Sequence, residues 1–159
     1  MLFRSSKVNG RTQEISRLIG RSLRAIVDLE ALGERSVTVD CDVIQADGGT
    51  RTASITGGTV ALCMALKRLS KEDAIENLVA AVSVGTFNDE LILDLNYHED
   101  SQAQADVNIV MNENLDLIEV QGTAEEKAFT KQEFNTLIDL AESGIKDLIQ
   151  LQKKTIESL

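Results

Sequence analysis

The stretch Val79-Ala80-Ala81-Val82-Ser83-Val84-Gly85-Thr86-Phe87-Asn88-Asp89-Glu90-Leu91-Ile92-Leu93 decides the class of fold. Val79 to Phe87 reads as a strand, Asn88-Asp89 as a tight turn, and Leu91 to Tyr97 as the strand that returns. A second pair follows at once, Ala105 to Met111 and Leu115 to Gly122, joined around Asn112-Glu113-Asn114. Outward from these hairpins the rhythm changes to helical. Thr130-Lys131-Gln132-Glu133 fits a capping box, in which a hydroxyl and a carboxylate each satisfy an orphan backbone amide. The helix it opens runs to about Ile156, with Phe134, Leu137, Ile138, Ala141, Ile145, Leu148 and Ile149 as its buried stripe.

On the other side, an apolar helix is expected from about Thr52 to Leu69. Before it, Val37, Val39, Cys41 and Val43 alternate with Thr38, Asp40 and Asp42, the pattern of a half-buried strand. Earlier still, Ile15, Leu18, Ile19, Leu23, Ile26 and Leu29 recur at three- and four-residue steps, predicting one amphipathic helix from Thr12 to Leu32 with Gly33 as its stop. Strands and helices come in blocks, so the class is α+β, with helices packed on a mixed or antiparallel sheet.

With 159 residues, 43% of them hydrophobic and 26% charged, the chain is expected to form one domain over residues 1–159. It has no proline, no low-complexity segment and no linker-like run. The net charge of −10 excludes a histone-like coat for nucleic acid. Charge is uneven, however. Arg4, Lys7, Arg11, Arg17, Arg21 and Arg24 crowd the first 24 residues with Glu14 as their only acid, and this basic end is where an anionic partner would land. No apolar run approaches the ~20 residues that cross a bilayer, and the start has no apolar core of a secretory signal, so a cytoplasmic protein without a membrane partner is expected. Cys41 and Cys63 read as buried, reduced thiols. One histidine makes a Ser-His-Asp triad or a His-based zinc site a poor fit.

Three constellations carry chemistry. In Gly48-Gly49-Thr50-Arg51-Thr52-Ala53-Ser54, two glycines allow a close backbone approach and the following helix offers free amides and a positive dipole end. Thr50, Ser54 and Arg51 add donors, which suits inorganic phosphate or one phosphoryl group; the alternative is an ordinary loop and cap. Asp100 and Asp106 flank what reads as a loop after Tyr97-His98-Glu99. Paired carboxylates hold Mg²⁺ with water and substrate phosphate completing the shell, unless they are simply solvated. Arg11, in Gly10-Arg11-Thr12-Gln13-Glu14, would sit in a first helical turn beside free amides, a favourable place for a phosphate.

These same residues carry a resemblance. Gly10-Arg11-Thr12-Gln13-Glu14-Ile15, Arg17-Leu18-Ile19-Gly20-Arg21, Val27 to Glu34, and Asp40-Cys41-Asp42-Val43-Ile44-Gln45-Ala46-Asp47-Gly48-Gly49-Thr50-Arg51-Thr52-Ala53-Ser54-Ile55-Thr56-Gly57 resemble bacterial ribonuclease PH. Val79 to Gly85, Glu99-Asp100 to Asp106, and Glu119-Val120-Gln121-Gly122-Thr123-Ala124-Glu125 follow in that family's order, so the resemblance spans residues 9 to 155.

It implies a phosphorolytic 3′-to-5′ exoribonuclease, a tRNA nucleotidyltransferase. Such an enzyme removes 3′ nucleotides from tRNA precursors with inorganic phosphate as co-substrate and releases nucleoside diphosphates. It also implies a ring of six built as a trimer of dimers. Carried over by position, Arg11, Gly49, Thr50 and Arg51 would bind phosphate, and Asp100 and Asp106 would be catalytic carboxylates associated with Mg²⁺. Full-length members have a further N-terminal segment, so an N-terminally truncated ribonuclease PH-like βα domain is expected. That departure leaves two hypotheses: an active phosphorolytic enzyme, or a non-catalytic remnant that binds RNA or phosphate and self-associates.

Overall fold

The computed structural model describes residues 10–124 and 128–158. Four strands, β1 (Val79–Phe87), β2 (Glu90–Leu93), β3 (Ala105–Asn112) and β4 (Leu117–Ala124), form one sheet in the order β2-β1-β3-β4. All three pairings are antiparallel, so the sheet is antiparallel and not mixed. Both hairpins were legible. Asn88 and Asp89 both have positive φ, 52° and 62°, the backbone a two-residue turn matched to strand twist demands. In the second turn the Asn112 side chain accepts from the amides of Asn114 and Asp116, and Leu115 is left-handed, so β4 starts two residues later than the apolar pattern suggests.

Helices cover both faces: α1 (Gly10–Arg24), α2 (Leu29–Leu32) and α3 (Thr50–Arg68) on one, α5 (Lys131–Glu157) on the other, with a short α4 (Tyr97–Asp100) after β2. Successive residues of a strand point to opposite faces. Ala80, Val82 and Val84 therefore join Val107, Ile109 and Met111 against Leu137, Ala141, Ile145 and Ile149 of α5. Val79, Ala81 and Val110 pack instead with Leu18, Leu23, Ile55, Leu62 and Leu66 of α1 and α3. The expected stripe of α5 is thus the one buried, and its Thr130/Glu133 capping box is present. Polar groups pin the layers together. The amide of Gln152 donates to the carbonyls of Thr56 (2.8 Å) and Val79 (2.9 Å), joining α5, α3 and β1.

Four expectations are corrected. The helix from Thr12 to Leu32 is two helices. Val27 bridges Ile75, the Asp28 amide bonds to the Ala74 carbonyl, and the Asp28 carboxylate caps α2 through the amides of Glu30 and Ala31, so the chain leaves α1 after Arg24. A side-chain cap of this kind competes with helix continuation.

Residues 36–43 alternate as a strand does, yet they join no ladder and form no helix among the described residues. They border a cleft of about 710 Å³ whose other walls are α1 and α3. Cys41 is consequently exposed, while Cys63 is buried in α3 as expected, with burial pushing its thiol pKa up. Finally, β2 ends at Leu93, and Tyr97–Asp100 is a helical turn with Asn96 and Glu99 forming a capping box. The acidic cluster is therefore ordered helix and not open loop.

Ile145 is fully buried between α5 and the sheet, and Leu151 is 61% exposed on the same helix. Ile145→Ala is expected to lower unfolding free energy in urea by about 2–5 kcal/mol. Leu151→Ala should change it by less than about 0.5 kcal/mol. Equal effects would show that α5 is not held by this face.

Candidate functional site

Residues 47–51 are shaped by what lies beneath them. A Cβ on Gly48 would lie 1.9 Å from the Leu95 carbonyl oxygen, so only glycine lets the loop pass so close to the end of the β2 connection. Gly49 caps α3 in the left-handed conformation, φ 68°, and supplies no side-chain hydrogen bond to the helix. The first-turn amides of this 19-residue helix therefore receive no hydrogen bond from a capping side chain at Gly49. Thr52 turns its hydroxyl back to the Gly49 carbonyl at 2.8 Å, and Ser54 to that of Thr50 at 2.8 Å. Those two hydroxyls stabilise the helix start and are already engaged.

Asp47 ties this loop to α4. Its Oδ1 accepts from the amide of Tyr97 at 2.6 Å and from that of Gly48 at 2.9 Å. These bonds, Tyr97 first, hold its carboxyl pKa below the ordinary value. Beside it, Asp94 takes a left-handed backbone, φ 60°, and its amide bonds to the Ser83 carbonyl at 2.7 Å. The Ser83 hydroxyl and Asp94 Oδ1 would each lie 3.5 Å from a Cβ on Gly49, so the start of α3 rests directly on the β1 end of the sheet.

Asp106 sits on β3 opposite Gly85, half-buried. Directly opposed residues share a face, so Asp106 lies on the face of Ser83, the face that α3 covers. Asp100 closes α4 and is exposed. Arg51, in the first turn of α3, reaches Glu14 of α1 at 3.2 Å. Arg11 lies one turn before Glu14 and is exposed. The expected residues therefore come from four elements that meet at one end of the sheet: α1 with Arg11, α3 with Gly49, Thr50 and Arg51, α4 with Asp100, and β3 with Asp106.

Three side chains have partners that the sequence did not show. Arg51 does not stand alone, because Glu14 holds it. Arg21 of the basic helix edge forks onto Glu119 of β4, so that cation is spent within the fold, and Arg4 and Lys7 lie outside the described residues, as does Glu125. His98 packs edge-on against the Phe87 ring at 5.8 Å and contacts the Gln102 amide at 3.1 Å, a packing role.

Comparison with known proteins follows the same residues. Residues 3–67 match the 3′ exoribonuclease family, domain 1, and residues 77–144 match domain 2 of that family. The chain belongs to the 3′ exoribonuclease family. It is 59% identical over 155 residues to the ribonuclease PH of Crocosphaera subtropica, an alignment covering 94% of this chain and 65% of that protein. It is 58% identical over 155 residues to the ribonuclease PH of Trichormus variabilis, covering 94% and 63%. The chain thus spans somewhat less than two thirds of the length of these relatives.

Among solved structures, rice (Oryza sativa) Rrp46 superposes with a TM-score of 0.72 at 17% identity, over 96% of this chain and 68% of that one. The Archaeoglobus fulgidus exosome with RNA bound to the active site superposes with a TM-score of 0.68 at 16% identity, over 92% and 63%. At such identities the likeness is one of fold, and it agrees with the α+β class of this exoribonuclease-family chain. Among the described residues no helix is long and apolar enough to cross a membrane.

Sequence reasoning missed Asp47, Asp94, Ser83 and the Glu14 partner of Arg51. Asp47 carried a signal, since an aspartate just before two glycines is a turn former that bonds its own backbone. Ser83 and Asp94 had none, because their placement depends on pairing across β1 and β2.

The Asp47 bonds give a pH dependence with a definite sign. A carboxyl whose folded pKa is lowered contributes fully above its unfolded value, about 4, and loses that contribution as pH falls through the lower folded value. The Tyr97 and Gly48 amide resonances are expected to stay constant from pH 7 to about 4 and to shift together only below it. A shared transition at or above pH 4 would show that the tie does not form.

Proposed function

We propose that the chain carries the phosphate-binding and carboxylate part of a phosphorolytic 3′-to-5′ exoribonuclease that trims tRNA precursors and other RNA. The observation supporting this is the meeting of the α3 start, bearing Gly49, Thr50 and Arg51, with the carboxylate-bearing β3 and α4 at one end of the sheet. Phosphate, held by the first-turn amides of α3 with Arg51 and Arg11 as cations, is the nucleophile, attacking the 3′-terminal phosphodiester. A nucleoside diphosphate leaves and the RNA is shorter by one nucleotide. Arginine and amides orient the anion and offset its charge, while Asp100 and Asp106 lie where the scissile phosphodiester arrives.

Mg²⁺ belongs to this reading. Carboxylate oxygens are the donors it prefers, and Asp100 and Asp106 supply two. Asp100 and Asp106 would hold it, and a Mg²⁺ site of only two protein carboxylates is in keeping with an ion that usually retains several waters. When bound, it offsets charge on the scissile phosphate.

A second reading is a non-catalytic remnant that binds phosphate or RNA. It is favoured by the ion pair between Arg51 and Glu14 and by residues 36–43, which alternate like a strand but join no ladder among the described residues. Incubation with a 3′-extended tRNA, Mg²⁺ and phosphate separates the two, since only the enzyme releases nucleoside diphosphates. In that assay Arg51→Ala is expected to lower phosphate-dependent turnover about 10- to 100-fold, the worth of one charge-assisted hydrogen bond. Asp106→Asn should lower turnover by a similar or larger factor while RNA affinity holds. Turnover near wild type for both variants would remove these residues from the site.

Self-association is also part of the reading, as a ring of six in the manner implied by the resemblance. Val43, Ile44, Leu117 and Leu29 are exposed apolar side chains on the side of the cleft and on the outer strand β4, surface that association would cover. Light scattering at micromolar concentration is expected to give a mass several times that of one chain. A 17.4 kDa species alone would contradict it.

A further inference from the structure

Asp47 occupies a place that neither the phosphate loop nor the carboxylates explain. One oxygen, Oδ1, accepts from an amide in the loop before α3 and from the first amide of α4, fifty residues further along the chain. The two segments also touch directly, because Gly48 leaves no room for a side chain against Leu95 and Asn96. The α3 side of this junction bears the first-turn amides, Thr50 and Arg51; the α4 side bears Asp100. A bond that spans the two fixes the distance between them.

We propose that Asp47 is a positioning residue that couples the two halves of the site: an anion seated on the α3 start tightens the α4 turn, and with it Asp100, through Oδ1 of Asp47. The inference rests on the reading of the α3 start as a phosphate site. The physical case is that a helix start drawn toward an anion carries Gly48 and Gly49 with it, and Gly48 cannot move independently of residues 95–97. Asp47 then has a single geometry in which both amides are satisfied, and this geometry orients α4. Because a single oxygen serves both donors, asparagine, which keeps a carbonyl oxygen at the same place, is expected to replace it, whereas alanine is not.

Hydrogen exchange and phosphate titration on the full chain test this. With inorganic phosphate as the probe, wild type is expected to show exchange at the Tyr97 amide slowed about 5-fold or more, the lower end of ordinary site-to-site coupling. In Asp47→Ala the slowing is expected to vanish while phosphate still shifts the Thr50 and Arg51 amides, and in Asp47→Asn most of it should return. Tyr97→Pro supplies an independent variant should Asp47→Ala fold poorly. It removes the donor amide at the first position of α4, where proline is tolerated, and leaves Asp47 intact. There the slowing, read at Ser101 and Gln102, is expected to be lost as in Asp47→Ala.

If the chain turns over RNA, Asp47→Ala should lower kcat as well as raise KM for phosphate, and Asp47→Asn should recover both. Phosphate that binds wild type without slowing the Tyr97 amide overturns the coupling alone, as does slowing that persists in Asp47→Ala or Tyr97→Pro. Phosphate that fails to bind at all overturns the coupling together with the phosphate reading.

Discussion

Strand β1 gives Ala80, Val82 and Val84 to one helical layer and Val79 and Ala81 to the other, so two hydrophobic clusters share a single backbone. Its first seven residues are all buried, and both its edges are hydrogen-bonded, to β2 and to β3. Such a strand has no tolerance for a slip of register. Moving it by one residue would exchange the two faces and put Ser83 against α5 and Val84 under the start of α3. The hydroxyls of Thr56 and Thr59 and the amide of Gln152 reinforce that setting, because each reaches the β1 backbone only in this register.

The site inherits its precision from that register. Ser83 marks where α3 begins, Gly85 faces Asp106, and the Asp94 amide on the Ser83 carbonyl fixes where β2 gives way to the turn that carries Asp100. Loops hold functional groups well only when a rigid scaffold sets their ends. Here the helix α3 holds one end of the Gly48-Gly49 loop, residues 36–43 lead into the other without joining a ladder among the described residues, and the loop is tied down between them by Gly48 pressed on Leu95 and by Asp47 bonded to Tyr97. Arg51 enters from α3 and meets Glu14 from α1, so the ion pair ties the start of one helix to the start of the other.

Local pattern carried most of the fold. The hairpins, the Thr130 cap and the stripe of α5 were legible because each depends on residues within a few positions of one another. The break in the first helix was not, since its cause is a partner some fifty residues away, Ala74 and Ile75 drawing Val27 and Asp28 out of the helical path. Residues 36–43 alternate correctly for a strand, but alternation specifies a face and not a neighbour. The residues proposed for the site, the Gly48-Gly49-Thr50-Arg51 loop, Arg11 and the pair Asp100 and Asp106, stand out in the sequence by residue type and spacing alone. Their connection through Asp47 was not, because it joins segments remote in sequence.

Gln152 has a temporal consequence. Its amide closes onto Thr56, 96 residues earlier, and α5 is made after every strand and helix it covers. Until α5 emerges, the Val82, Val84, Val107, Ile109 and Met111 face lacks its α5 cover, so a sheet that pairs as it is made would leave this apolar side exposed for several seconds at ordinary translation speeds of about 5–20 residues per second. The last helix to be synthesised is thus the one that closes this core, and a chaperone that shields apolar sheet faces would have its natural moment before it.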